Sequence, residues 1–128
     1  MLEEKSGDSN VCGEYCRVHF RVRCAAPLGQ TVGVSGSTHR LGYFNKDRVV
    51  PLVTTPESYP VWYTTTPIVV PRMQLVHYKF AVMQGGACKA MELRANNRTF
   101  MPNDPNTVIE DAFDPAALEV LSARPKAS

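Results

Sequence analysis

The chain has 128 residues, 44% of them hydrophobic, with 14 Lys and Arg against 12 Asp and Glu and a formal net charge of +2. That length fits one domain able to bury a core without staples, and the near balance of charge lacks the basic excess of a nucleic-acid binder. The apolar runs at 49–53 and 68–70 are far too short to cross a bilayer, so no membrane span is expected.

Residues 1–14 read as a polar tail. They contain no apolar h-region, so no secretory signal is read there and a cytoplasmic location is expected. From there to residue 114 the chain reads as strands. Val18, Phe20 and Val22 alternate with His19, Arg21 and Arg23, the period-two pattern of a half-buried strand. The three arginines Arg17, Arg21 and Arg23 share its polar side and read as a solvated face, not a phosphate track. Residues 30–34 form the next strand, and Gly36-Ser37 and Leu41-Gly42 punctuate a loop. Residues 49–53 read as a short strand with Pro51 at an edge or bulge. Residues 61–66, rich in β-branched and aromatic side chains, read as another. Pro67 and Pro71 exclude a helix between them. The strongest strand is 74–83, with Leu75, His77, Lys79 and Ala81 on one side and Val76, Tyr78, Phe80 and Val82 on the other. Gln84-Gly85-Gly86 is a hairpin turn, because glycine supplies the positive φ such turns need, and 88–93 returns as its partner. Weaker strands follow at 99–101 and 107–109. The pattern Ala116, Leu118, Val120, Leu121 in the last segment, 115–128, allows a turn or two of amphipathic helix, or a linker. Some seven to eight short strands separated by Gly and Pro turns indicate an all-β sandwich or small barrel.

Chemistry is sparse. Cys12, Cys16, Cys24 and Cys88 lack zinc-site spacing, and His19, His39 and His77 are scattered, so free thiols are expected ahead of a disulfide or a metal. No nucleophile elbow, metalloprotease helix or phosphate loop is present, and no catalytic residue or cofactor is assigned. Glu92, Glu110, Asp111 and Asp114 have no spacing that sets two carboxylates across a glycosidic bond, and they read as solvated acids.

The informative residues are polar or aromatic groups outside the core alternation. A pyranose offers an apolar C–H face and a polar rim, so its recognition needs a flat ring and a few fixed polar groups. Phe44 lies in a loop, and Lys79 points away from Tyr78 and Phe80. Glu92 and Asn97 lie on or after the strand that pairs with the Lys79 strand, so ring, ammonium, carboxylate and amide can converge on one patch. On chemistry alone the plainer reading, Phe44 as a loop anchor beside merely exposed polar groups, is preferred.

The motifs change that balance. Val18-His19-Phe20-Arg21-Val22, Val34-Ser35-Gly36-Ser37, Leu41-Gly42-Tyr43-Phe44, Val50-Pro51-Leu52, Tyr59-Pro60-Val61-Trp62, Tyr78-Lys79-Phe80, Met91-Glu92 and Asn97-Arg98-Thr99-Phe100 follow one another in an order that resembles the starch-binding domain, carbohydrate-binding module family 20. The resemblance runs from about Arg17 to Phe113. It implies an immunoglobulin-like antiparallel β-sandwich that binds α-1,4-glucan such as starch, amylopectin or glycogen, performs no catalysis, and tethers a catalytic domain in the same or a partner chain. It also implies a sugar site at Phe44, Lys79, Met91, Glu92 and Asn97, a structural role for Trp62, and Tyr59 as the candidate for a second site. Phe44 and Met91 stand where the family carries its two stacking tryptophans, and the stretch from Met91 to Asn97 is one residue longer than the usual spacing. The region around Leu28 lacks the aromatic expected at the second site. A degenerate sandwich that docks another protein is the alternative.

Overall fold

The computed structural model describes residues 14–92, 97–112 and 118–120, the last stretch as backbone only. Ten strands are described: β1 (Tyr15–Arg23), β2 (Gln30–Gly36), β3 (Val50–Pro51), β4 (Val61–Tyr63), β5 (Ile68–Pro71), β6 (Val76–Gln84), β7 (Ala87–Glu92), β8 (Arg98–Phe100), β9 (Asn106–Ala112) and β10 (Leu118–Val120). They make a four-stranded and a six-stranded sheet. In the first, β4 and β5 pair antiparallel with opposite ends of β1, and β9 runs parallel to it. In the second, the order is β10-β7-β6-β2-β3, with β8 pairing the start of β6. The result is an all-β sandwich with antiparallel pairing dominant.

The two long strands follow their sequence periods. In β1, Cys16, Val18, Phe20 and Val22 are buried while Tyr15, Arg17, Arg21 and Arg23 are exposed. In β6, Val76, Tyr78, Phe80 and Val82 face the core. Between the sheets, the ring of Phe20 meets Tyr78, Phe80 and Phe100 edge-on, with centroids 5.3 to 6.3 Å apart. Such T-shaped contacts set the positive ring edge against the negative face. Trp62 is 4% exposed, and its indole N–H donates to the Cys24 carbonyl at 2.9 Å, so it is a core residue with its polar atom satisfied. Cys16 and Cys88 are free thiols; Cys12 lies outside the described residues.

Some elements differ from expectation. β4 stops at Tyr63 because Thr64 turns inward, its hydroxyl accepting the Phe20 N–H at 3.1 Å and meeting His19 Nδ1 at 3.0 Å. β9 is longer than its weak sequence pattern because it pairs continuously along β1 from Arg17 to Arg23. Residues 118–120, expected as helix or linker, are strand: they pair with Ala90, Met91 and Glu92 along β7, which satisfies main-chain groups a helix would leave open on that edge.

Candidate functional site

The outer face of β6 carries His77, Lys79, Ala81 and Met83, and the loop after β2 delivers Phe44 onto it. Gly36 closes β2, and a Cβ there would lie 2.7 Å from the His77 carbonyl, so the loop can press against β6 only with glycine at this position. Ser37 then locks onto β6: its N–H donates to the His77 carbonyl at 2.8 Å and its hydroxyl accepts the His77 N–H at 3.0 Å. The chain turns through the short 3-10 segment His39–Leu41 and returns, with the Phe44 N–H donating to the Gly36 carbonyl at 3.0 Å. Gly42, Tyr43 and Phe44 all have positive φ, at 81°, 54° and 61°. The last two are unusual for bulky residues and cost of order 1–3 kcal/mol each.

This loop sets the Phe44 ring beneath Lys79, whose Nζ lies 5.6 Å from the ring centroid. That is cation–π range, and it holds both side chains in place before any ligand arrives. Phe44 and Lys79 are each half-buried, so one side of the pair is open to water. Met91 is opposite Ala81 and therefore on the same outer face. It is half-buried against a small cluster of Val49, Ala81, Met83 and Cys88, so it lies along the sheet and does not stand up as a plate. Burial pushes the Cys88 thiol above its usual value and keeps it a neutral member of that cluster. Asn97 precedes β8, where the pairs His77–Thr99 and Tyr78–Arg98 lead to the register position beside Lys79.

Glu92 is in a different place from the one its neighbour suggests. A β-bulge between Val82 and Met83 explains it. From the two-residue turn at Gly85-Gly86, simple pairing sets Met83 opposite Cys88, and continuing it would set Lys79 opposite Glu92. Lys89 is the extra residue: beyond it Val82 pairs with Ala90 and Ala81 with Met91. A one-residue slip turns every later side chain to the other face. Met91 therefore goes out and Glu92 goes in.

There the Glu92 carboxylate is fully engaged. It accepts the Phe80 N–H at 3.0 Å and two Arg98 nitrogens, Nε at 2.9 Å and Nη2 at 2.7 Å. Arg98 lies over the Phe80 ring at 5.1 Å and reaches Asp111 with Nη1 at 3.4 Å, and Tyr78 donates to Asp111 at 2.6 Å. The hydrogen bonds that Arg98 donates to Glu92 push it above its usual pKa, with burial opposing. Burial first, then Asp111, pushes Tyr78 well above the usual tyrosine value. Asp111, read from sequence as a solvated acid, closes this network. The expected ring–ammonium pairing is thus present, Met91 and the Asn97 register position share its face, and the Glu92 carboxylate turns away from it.

Tyr59 lies apart from this patch. It is 47% exposed, donates to the Ala26 carbonyl at 3.0 Å, and lines a shallow hollow of about 370 Å³ with Leu28, Thr54 and Trp62. Among the described residues, no group of three or more His, Cys, Asp or Glu could hold a metal ion, and no helix is long and apolar enough to cross a membrane.

A two-sheet antiparallel sandwich with a loop-borne ring and ammonium on one outer face has the form of a carbohydrate-binding module. The family model for the starch binding domain of carbohydrate-binding module family 20 matches residues 15–110, and the chain belongs to that family of non-catalytic modules. Solved structures agree on the fold. A glycoside hydrolase family 15 glucoamylase from Hypocrea jecorina matches with TM-score 0.68 and 23% identity, over 79% of this chain and 17% of that one. The family 20 module of a maltotetraose-forming amylase from Pseudomonas saccharophila matches with TM-score 0.61 and 22% identity, over 76% of this chain and 99% of that one. A γ-CGTase from alkalophilic Bacillus clarkii gives TM-score 0.64 and 21% identity, over 78% of this chain and 15% of that one. The chain thus spans under a fifth of the glucoamylase and of the CGTase. No curated protein sequence matches it.

Proposed function

We propose that the outer face of β6 binds α-1,4-glucan, with Phe44 stacking on one glucose ring and Lys79 and Asn97 meeting its hydroxyls. Met91 lines the groove, and Glu92 serves the site from inside by fixing Arg98 and the β6 backbone. The observation that carries this reading is the Phe44–Lys79 pair at 5.6 Å, preset on a loop whose backbone is strained to present the ring. Residues held in such sparsely populated backbone conformations cluster at ligand contacts and active sites. Phenyl offers less face than indole and Met91 offers no rigid plane, so binding is expected to be weaker than with a pair of tryptophans. The module would tether a catalytic domain to its glucan, a reading supported by the small shares of the glucoamylase and CGTase that it matches.

A pull-down on insoluble starch and a β-cyclodextrin titration followed by NMR test this. Retention on starch, with shifts at Phe44 and Lys79, is the expected result. No retention and no shift there would overturn it. The half-buried cluster around Met91 favours one other reading, docking of a protein on the same face. That reading predicts no response to either glucan.

A further inference from the structure

Tyr43 and Phe44 are neighbours on one left-handed turn, and they serve different surfaces. Phe44 goes under Lys79, while Tyr43 goes toward His39, with ring centroids 6.0 Å apart. Beyond Tyr43 lies a cleft of about 770 Å³, between the 38–43 loop and the edge where β1 meets β5. It shares no residue with the Phe44–Lys79 patch or with the Tyr59 hollow.

The lining has a distinct chemistry. Tyr15 and Tyr43 keep 43% and 61% of their surface in water, an arrangement that leaves two flat rings open to a ligand. Arg17, Arg40 and His39 also line the cleft, and among its described lining residues there is no Asp or Glu. Thr38 lines it as well, with its hydroxyl turned away from solvent. Guanidinium groups donate and cannot accept. A neutral sugar brings donors and acceptors together in each hydroxyl, and its recognition uses carboxylates or carbonyls to take those donors. Apart from the Gln74 amide, the charged and ionisable side chains of this wall are donors, which matches a ligand group that only accepts, and arginine's planar fork fits a phosphate or carboxylate bidentately.

We propose that this cleft is a second ligand site, taking a sugar unit that bears a phosphomonoester, with the tyrosine rings against the pyranose and Arg17 and Arg40 on the phosphate. The sugar half rests on the glucan reading above; the anion half stands on the lining alone.

The test is an amide-resolved NMR titration of the whole chain with glucose 6-phosphate, with glucose and inorganic phosphate as separate arms. Glucose 6-phosphate is expected to shift Tyr15, Thr38, His39 and Tyr43 at lower concentration than either arm. The double substitution Arg17→Gln/Arg40→Gln, on exposed side chains, should weaken that response by about fivefold or more, as loss of charge-assisted hydrogen bonds requires. No shift in the cleft, or an unaltered response in the double variant, overturns the site. An equal response to glucose overturns the anion half, and an equal response to inorganic phosphate overturns the sugar half. A maltoheptaose titration read at Phe44 and Lys79 reports the glucan site separately, so failure of one reading is distinct from failure of the other.

Discussion

The two faces of β6 carry alternate residues of one short motif and do opposite work. Inward, Tyr78 and Phe80 close an aromatic cluster bolted by Glu92, Arg98 and Asp111. Outward, Lys79 rides on Phe44 in partial contact with water. On β7 the same division separates Met91 from Glu92, and a single bulge decides which goes where. The comparison teaches that a run of neighbouring motif residues can combine a fastening with a contact surface, and that strand register sorts them.

Substitutions can break or sharpen that division. The largest effect is expected inside. Glu92→Ala removes the carboxylate that accepts from Arg98 and from the Phe80 N–H, leaving Arg98 its contacts to Asp111 and the Ala112 carbonyl, and should cost about 2–4 kcal/mol of stability in a denaturant titration, as loss of charge-assisted hydrogen bonds does. If the variant keeps its stability but loses glucan, the carboxylate reaches the sugar after all and the division fails. On the outer face, Phe44→Ala should weaken binding to β-cyclodextrin by about 1–2 kcal/mol in calorimetry while leaving the unfolding midpoint nearly in place. Unchanged affinity would move the sugar site elsewhere.

Tyr78→Phe comes next. It removes a hydrogen bond to a carboxylate and should cost about 1–2 kcal/mol near neutral pH. Its pH signature is more specific. The folded state holds the Tyr78 proton far more tightly than an unfolded tyrosine, which ionises near 10. The resulting contribution is whole below that value and is lost as pH rises through the folded one. Between about pH 9 and 11 the parent should therefore lose more melting temperature than Tyr78→Phe. Parallel curves would mean the phenol does not control the alkaline limb. The smallest effect is expected from Met91→Trp, which should tighten cyclodextrin binding by about 1 kcal/mol or less. A loss of stability without tighter binding would show that Met91 belongs to the sheet cluster and not to the groove.

Much of the fold was legible because burial imposes period two wherever one side of a strand meets the core, as in Val18, Phe20, Val22 and again in Val76, Tyr78, Phe80. β9 was legible only at 107–109 and β10 not as a strand, since their short patterns take full meaning only from the strands they lie beside, β1 and β7. In the site, Lys79 could be assigned to the outer face by counting along one strand. Glu92 could not, because its face depends on a bulge at Lys89 across the hairpin. Nor could the Tyr43 and Phe44 backbone, because neither residue type signals a left-handed turn; the preceding Gly42 marks only its start. The cleft beside Tyr43 gathers residues from separate stretches of chain, so no local motif announces it.

The left-handed turn at Tyr43 and Phe44 also matters for anyone who would engineer this domain. Glycine or asparagine relaxes such a conformation, so a screen for heat resistance alone would be drawn to both positions. The hardier proteins it returned would be the ones stripped of the two rings that face the candidate ligands.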